Sequence, residues 1–176
     1  MDVQKRYWQE FIDLKRDSYY IGFYHRRTET IDRFLSGFSA ITSSSAVAGW
    51  ILWHKAVTVL GVMIDFRIVW SAIIMIAQLI TAVKEYMPYK KRLNALSTLS
   101  NDLNYFAIVM ENDWFKVSHG LLTDEEVHDL HMAMKRRIND ATTKSFLNAS
   151  LPEDERLLKR ADLDTQNYVK TFFGEE

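Results

Sequence analysis

The sequence predicts an all-α chain: a two-helix transmembrane hairpin joined to long amphipathic cytoplasmic helices that pack as a helical bundle. Three observations predict it. Only two prolines and six glycines interrupt 176 residues, so few positions force a turn. Two stretches, 34–54 and 62–83, are nearly free of charge, and each matches the ~20 residues that cross a bilayer core. Outside them, apolar residues recur at the three- and four-residue spacing of a helix face, and strand-like alternation is missing.

The boundaries expected are 1–33 for an N-terminal amphipathic helix, 34–83 for the hairpin, 84–140 for a cytoplasmic helical region and 141–176 for a C-terminal helical tail. In the first, Trp8, Phe11, Ile12, Tyr19, Tyr20, Phe23 and Ile31 lie among dispersed charges, with an interruption expected near Asp17–Gly22. Between Phe34 and Val83 the only charges are Lys55, Asp65 and Arg67. Trp50 and Trp53 end the first apolar stretch beside His54 and Lys55, as interfacial aromatics do. A short connection is expected near 55–61. Arg26, Arg27 and Arg33 precede the hairpin, and Lys84, Lys90, Lys91 and Arg92 follow it, so the positive-inside rule puts both termini in the cytoplasm.

After Pro88, which kinks or restarts a helix, the segment 93–119 carries a heptad seam. Leu96, Leu103, Met110 and Val117 recur every seven residues, with Leu99 and Phe106 between them. That spacing asks for a helical neighbour, in this chain or another subunit; Asp113 breaks the series and argues against a long coiled coil. Gly120 stands where a C-cap is needed. The run TDEE at 123–126 is a capping box, and it starts a helix with Val127, Leu130, Met134 and Ile138 on one face. A second capping box, SLPE at 150–153, is expected to start the last helix through Leu157, Leu158, Ala161, Tyr168 and Val169 toward Phe172.

The charge balance excludes some functions. A net charge of −1 lacks the basic excess of a nucleic-acid binder, so no nucleic-acid partner is expected. The absence of cysteine removes disulfides, thiolate catalysis and cysteine-based metal sites. A mean hydropathy of −0.18 confines membrane character to the two apolar stretches. Glu125 and His128 show Glu-x-x-His spacing, with His131 a turn further on. A di-iron bundle needs two such motifs and further carboxylates, and this chain has one, so the pair reads as a solvated helix face. No P-loop, Gly-x-Ser-x-Gly or His-Glu-x-x-His occurs. No enzyme activity, metal or cofactor is therefore expected. His25, Arg26 and Arg27 form a basic cluster suited to an anion or lipid headgroup, or simply to the cytoplasmic flank of a span.

The polar residues inside the apolar stretches are more informative. Ser36, Ala40, Ser44 and Ala48 are four apart and form one small-residue stripe, with Ser39, Thr42 and Ser43 beside it. Ser71 and Gln78, seven apart, share a face of the second stretch. Small residues let helices approach closely in a membrane, and hydroxyls bond across the contact. Ser39, Thr42, Ser43, Ser44, Ser71 and Gln78 are therefore the candidates for tight helix packing or, in an oligomer, for lining a water-filled path. Two helices alone cannot enclose a pore. The serine-rich first stretch is only marginally hydrophobic, which keeps open a second reading: a soluble or membrane-tethered helical adaptor acting through protein contacts.

The segments SYYIGFYHRR, TIDRFLSGFSAITSSSAVAGWILW and AQLITAVKEYMPYKKRLNALSTLSNDL, followed by a helical tail, resemble the SLATT family over roughly residues 5–140. These are bacterial two-transmembrane effectors associated with SMODS nucleotidyltransferases and SLOG sensor domains. The resemblance implies a homo-oligomeric inner-membrane effector of anti-phage defence. It would permeabilise or disrupt the membrane when a nucleotide-linked sensor triggers it, that sensor being either a separate protein or the tail after about residue 140. It brings no catalytic residues with it.

Overall fold

The computed structural model describes residues 3–52, 57–59, 62–64, 66–86, 89–145 and 153–174, with the side chains of 43–68, 70 and 83–90 excepted. Its class is all-α. Among the described residues there are five helices: α1 (Val3–Leu52), α2 (Phe66–Tyr86), α3 (Tyr89–Ser118), α4 (Asp124–Ser145) and α5 (Glu155–Phe172). Between α1 and α2, the valine-rich segments β1 (Val57–Val59) and β2 (Val62–Ile64) pair antiparallel, Val57 opposite Ile64 and Val59 opposite Val62. The expected connection is thus a small ribbon, favoured by its β-branched residues. Among the described residues, no helix is long and apolar enough to cross a membrane. The stretches 34–54 and 62–83 lie only partly within the described side chains, and the transmembrane hairpin expected there has no support from the helices.

The chain divides into two compact units, one of residues 1–27 with 92–176 and the other of 28–91. In the first, one face of α1 carries Tyr7, Phe11, Leu14, Ser18 and Ile21, all buried. Their alternating spacing of four and three residues is a heptad stripe that the charges around it had hidden. It packs with the α3 seam, where Leu96, Leu99, Leu103, Ala107, Met110 and Val117 are buried in the same core. The seam's helical neighbour within this chain is therefore α1. The interruption expected near Asp17–Gly22 is also absent, because α1 runs continuously. Gly22 costs such a helix about 1 kcal/mol, while Leu14, Ser18 and Ile21 just before it are held by burial.

The turns follow local chemistry. Gly120 has φ +66°, a left-handed conformation that closes α3, and the Gly120 and Leu121 amides donate to the carbonyls of Val117 and Lys116. The capping box forms as expected. The Thr123 amide donates to the Glu126 carboxylate at 2.8 Å, and the Glu126 amide donates back to the Thr123 hydroxyl at 3.3 Å. That backbone hydrogen bond holds the Glu126 carboxyl below its ordinary pKa. Thr123→Ala is expected to cost about 1 kcal/mol, read as a lower denaturant midpoint at unchanged slope. Val127, Met134 and Ala141 bury one stripe of α4.

The last helix departs from expectation. Its N-cap is Asp154, whose carboxylate accepts from the amides of Arg156 and Leu157, and α5 begins at Glu155. The capping box expected at 150–153 loses to this residue, and Ser150 and Pro152 lie outside the described residues. At the far end Phe173, not the exposed Phe172, reaches the core, with its ring 5.0 Å from Trp8 and 5.9 Å from Phe11.

Candidate functional site

In the unit of residues 28–91, α1 and α2 meet along a seam of small and hydroxylated side chains. Thr42 and Ala77 are buried, at 5% and 4% exposure. The Thr81 hydroxyl donates to the Ala77 carbonyl at 2.9 Å, so the 2.6 Å bond joining Ser39 to Thr81 takes its proton from Ser39. The Thr42 hydroxyl turns back to the Phe38 carbonyl at 2.8 Å. Each hydroxyl is thus satisfied within the helix pair. Several large apolar side chains point the other way: Phe34 is 72% exposed, Ile41 69%, Met75 63% and Leu79 59%. Among the described side chains of this unit, hydroxyls and small residues thus join the two helices while these four large apolar residues face outward, the reverse of their usual burial.

The residues singled out from the sequence divide accordingly. Ser39 and Thr42 lie in the seam. Ser71 and Gln78 are exposed on α2, away from Ala77 and beside Met75. The side chains of Ser43 and Ser44 lie outside the described residues.

The basic cluster does not act as one group. His25 is half-buried and Arg26 exposed. The Arg27 guanidinium donates to the Asp154 carboxylate, and the Asp154 amide donates to the Tyr20 hydroxyl at 3.1 Å. The Leu157 amide, and then Arg27 and the Arg156 amide, hold the Asp154 carboxyl below the usual carboxylate range. Asp154 thus caps α5 and ties it to α1 at once. The sequence hid this role because the two partners stand 127 positions apart.

A second polar group sits inside the 1–27/92–176 unit. Lys15 is only 9% exposed, and its ammonium lies 3.9 Å from the centre of the Tyr168 ring. Burial pushes its pKa down, and the Glu111 carboxylate offsets part of that. Cation–π contact with a desolvated ring compensates a buried ammonium in part. Glu111 is also near enough to Tyr168 to raise its pKa beyond the effect of burial, although the Tyr168 hydroxyl reaches no partner at full hydrogen-bond geometry. The Tyr7 and Thr165 hydroxyls are likewise buried without partners. The lysine's place beside Leu14 on the buried stripe was the available signal.

The Glu-x-x-His pair stays apart from other ligands. Glu125 and His128 are exposed, while His131 approaches Glu10 at 3.5 Å and meets the Tyr7 ring edge-on. Among the described residues, no three His, Asp or Glu side chains are gathered so as to hold a metal ion. Set against protein-family models, curated proteins and solved structures, the chain matches none.

Proposed function

We propose that the chain is a non-enzymatic membrane effector whose 34–83 hairpin inserts in the bacterial inner membrane with both termini cytoplasmic. It self-associates there and permeabilises or disrupts the bilayer when a separate nucleotide-linked sensor triggers it. The observation that carries this reading is the helix pair of 28–91, in which Ser39 bonds Thr81 across a seam of small side chains while Phe34, Ile41, Met75 and Leu79 are turned outward. Such a surface is costly in water and favourable against lipid or against another copy of itself. The resemblance to SLATT effectors supports the same reading and implies a nucleotide-linked trigger. Within it, Ser39 and Thr42 serve helix packing, while Ser71 and Gln78, exposed on α2, line a path between subunits. Arg26, Lys91 and Arg92 would lie at the headgroups.

Induced expression with a membrane-potential dye tests the proposal. The native chain is expected to depolarise cells, and Gln78→Leu to insert normally but depolarise at least tenfold less. Normal depolarisation by Gln78→Leu would sink the pore-face assignment, and recovery of the chain in the soluble fraction without detergent would sink the membrane reading itself.

A second reading, a helical adaptor acting through protein contacts, is favoured by one observation. Tyr105, Ile108 and Phe115 are exposed along one strip of α3, although the opposite face of that helix is fully used. A stable complex captured through that strip, and lost in Ile108→Asp, would favour the adaptor.

A further inference from the structure

Between the N-terminal part of α1 and α5, both within the 1–27/92–176 unit, lies a cleft of about 540 Å³. That volume is in the range of about 300–1,000 Å³ usual for small-molecule sites. Its apolar walls are Trp8, Ile12 and Val169. Trp8 is a fixed wall, because its ring is clamped at 4.6 Å from Trp114 and 5.0 Å from Phe173. Thr165, Gln166 and Lys170 supply the polar edge. Among the described residues that line the cleft, Lys170 carries the only charge. Thr165 is 4% exposed and its hydroxyl has no hydrogen-bond partner. A helical threonine populates two χ1 rotamers, so rotation about Cα–Cβ can carry the hydroxyl to a second staggered position.

We propose that this cleft binds a small organic acid: an apolar body against Trp8, Ile12 and Val169, and a carboxylate held by Lys170 with hydrogen bonds from Gln166 and Thr165. A cationic ligand is disfavoured because no carboxylate lines the cleft and Lys170 repels it. A purely apolar ligand would leave the buried Thr165 hydroxyl unpartnered. A carboxylate can accept from it, and its bond to an ammonium is the stronger, charge-assisted kind. The site is independent of the membrane reading, since all of its lining residues belong to the other unit.

Calorimetric titration of the full-length chain with phenylacetate, octanoate and the neutral phenylethanol tests the assignment. Either acid is expected to bind, and at least one about tenfold tighter than phenylethanol. Tighter phenylacetate assigns a flat body on Trp8, and tighter octanoate an extended one. Lys170→Gln, at an exposed position that does not threaten folding, should erase the preference for the acid. Thr165→Val should weaken acid binding several-fold while raising the melting temperature of the free protein, because a buried unpartnered hydroxyl is removed. A merely structural Thr165 would give the second effect without the first. No binding of either acid at millimolar concentration, or binding unchanged in both variants, overturns the proposal.

Discussion

Phe11→Ala is expected to destabilise the 1–27/92–176 unit by about 3–5 kcal/mol. Phe11 has no exposed surface, its ring lies 5.5 Å from that of Trp8 and 5.9 Å from that of Phe173, and it sits in the cluster that gathers α1, α3 and α4. Truncation removes the burial of a whole ring and leaves a cavity between side chains that are themselves held by neighbours. Since domains are stable by only about 5–15 kcal/mol, most of the margin goes. Urea unfolding followed by far-UV circular dichroism measures it. Phe34→Ala, at a site 72% exposed, is the control and should stay within about 0.5 kcal/mol when measured without lipid. Equal losses for the two would mean that the packing of α1 is wrongly described.

Alkaline pH should unfold the same unit abruptly. Burial, and secondarily the Asp113 carboxylate, raises the pKa of Tyr7; burial and then Glu111 raise that of Tyr168. Unfolded tyrosines ionise near pH ~10, while the folded ones keep their protons. Above that pH the folded state holds more protons than the unfolded state, so stability falls as pH rises. Lys15 works in the opposite sense below it. Its depressed pKa means that the unfolded chain binds the proton more firmly, and the cost of burying the ammonium eases as pH climbs toward the ordinary lysine value of about 10.4. Stability is therefore expected to rise gently toward pH ~10 and then drop. The Tyr7→Phe, Tyr168→Phe double variant gives up two hydroxyls that lack partners, so it should fold at least as well at neutral pH and survive to higher pH. An unchanged alkaline midpoint in that variant would remove the tyrosines as the cause.

Much of the architecture was legible because local chemistry agrees with packing. Leu96, Leu103, Met110 and Val117 announced the buried face of α3, Thr123 and Glu126 the start of α4, and Gly120 the end of α3. What escaped depends on partners distant in sequence. Asp154 outcompetes the upstream SLPE motif because Arg27 and Tyr20 hold it in place. Phe173 outcompetes Phe172 because the Trp8–Phe11 surface lies under it. The continuity of α1 was obscured by Gly22, whose helix penalty is real but small beside a heptad stripe with a tertiary partner. Of the candidate site, the serine periodicity indicated that hydroxyls and small residues share faces. It did not indicate which face meets a helix: Ser39 and Thr42 do, whereas Ser71 and Gln78 do not.

The unit built from residues 1–27 and 92–176 is discontinuous in the chain. On the ribosome, then, Tyr7, Phe11 and Leu14 emerge long before the α3 residues that will cover them. The whole 28–91 segment is synthesised while they wait. Domains with such distant partners close late, and their early segments stay open to other encounters. The order of synthesis thus leaves the buried stripe of α1 uncovered until α3 has been made.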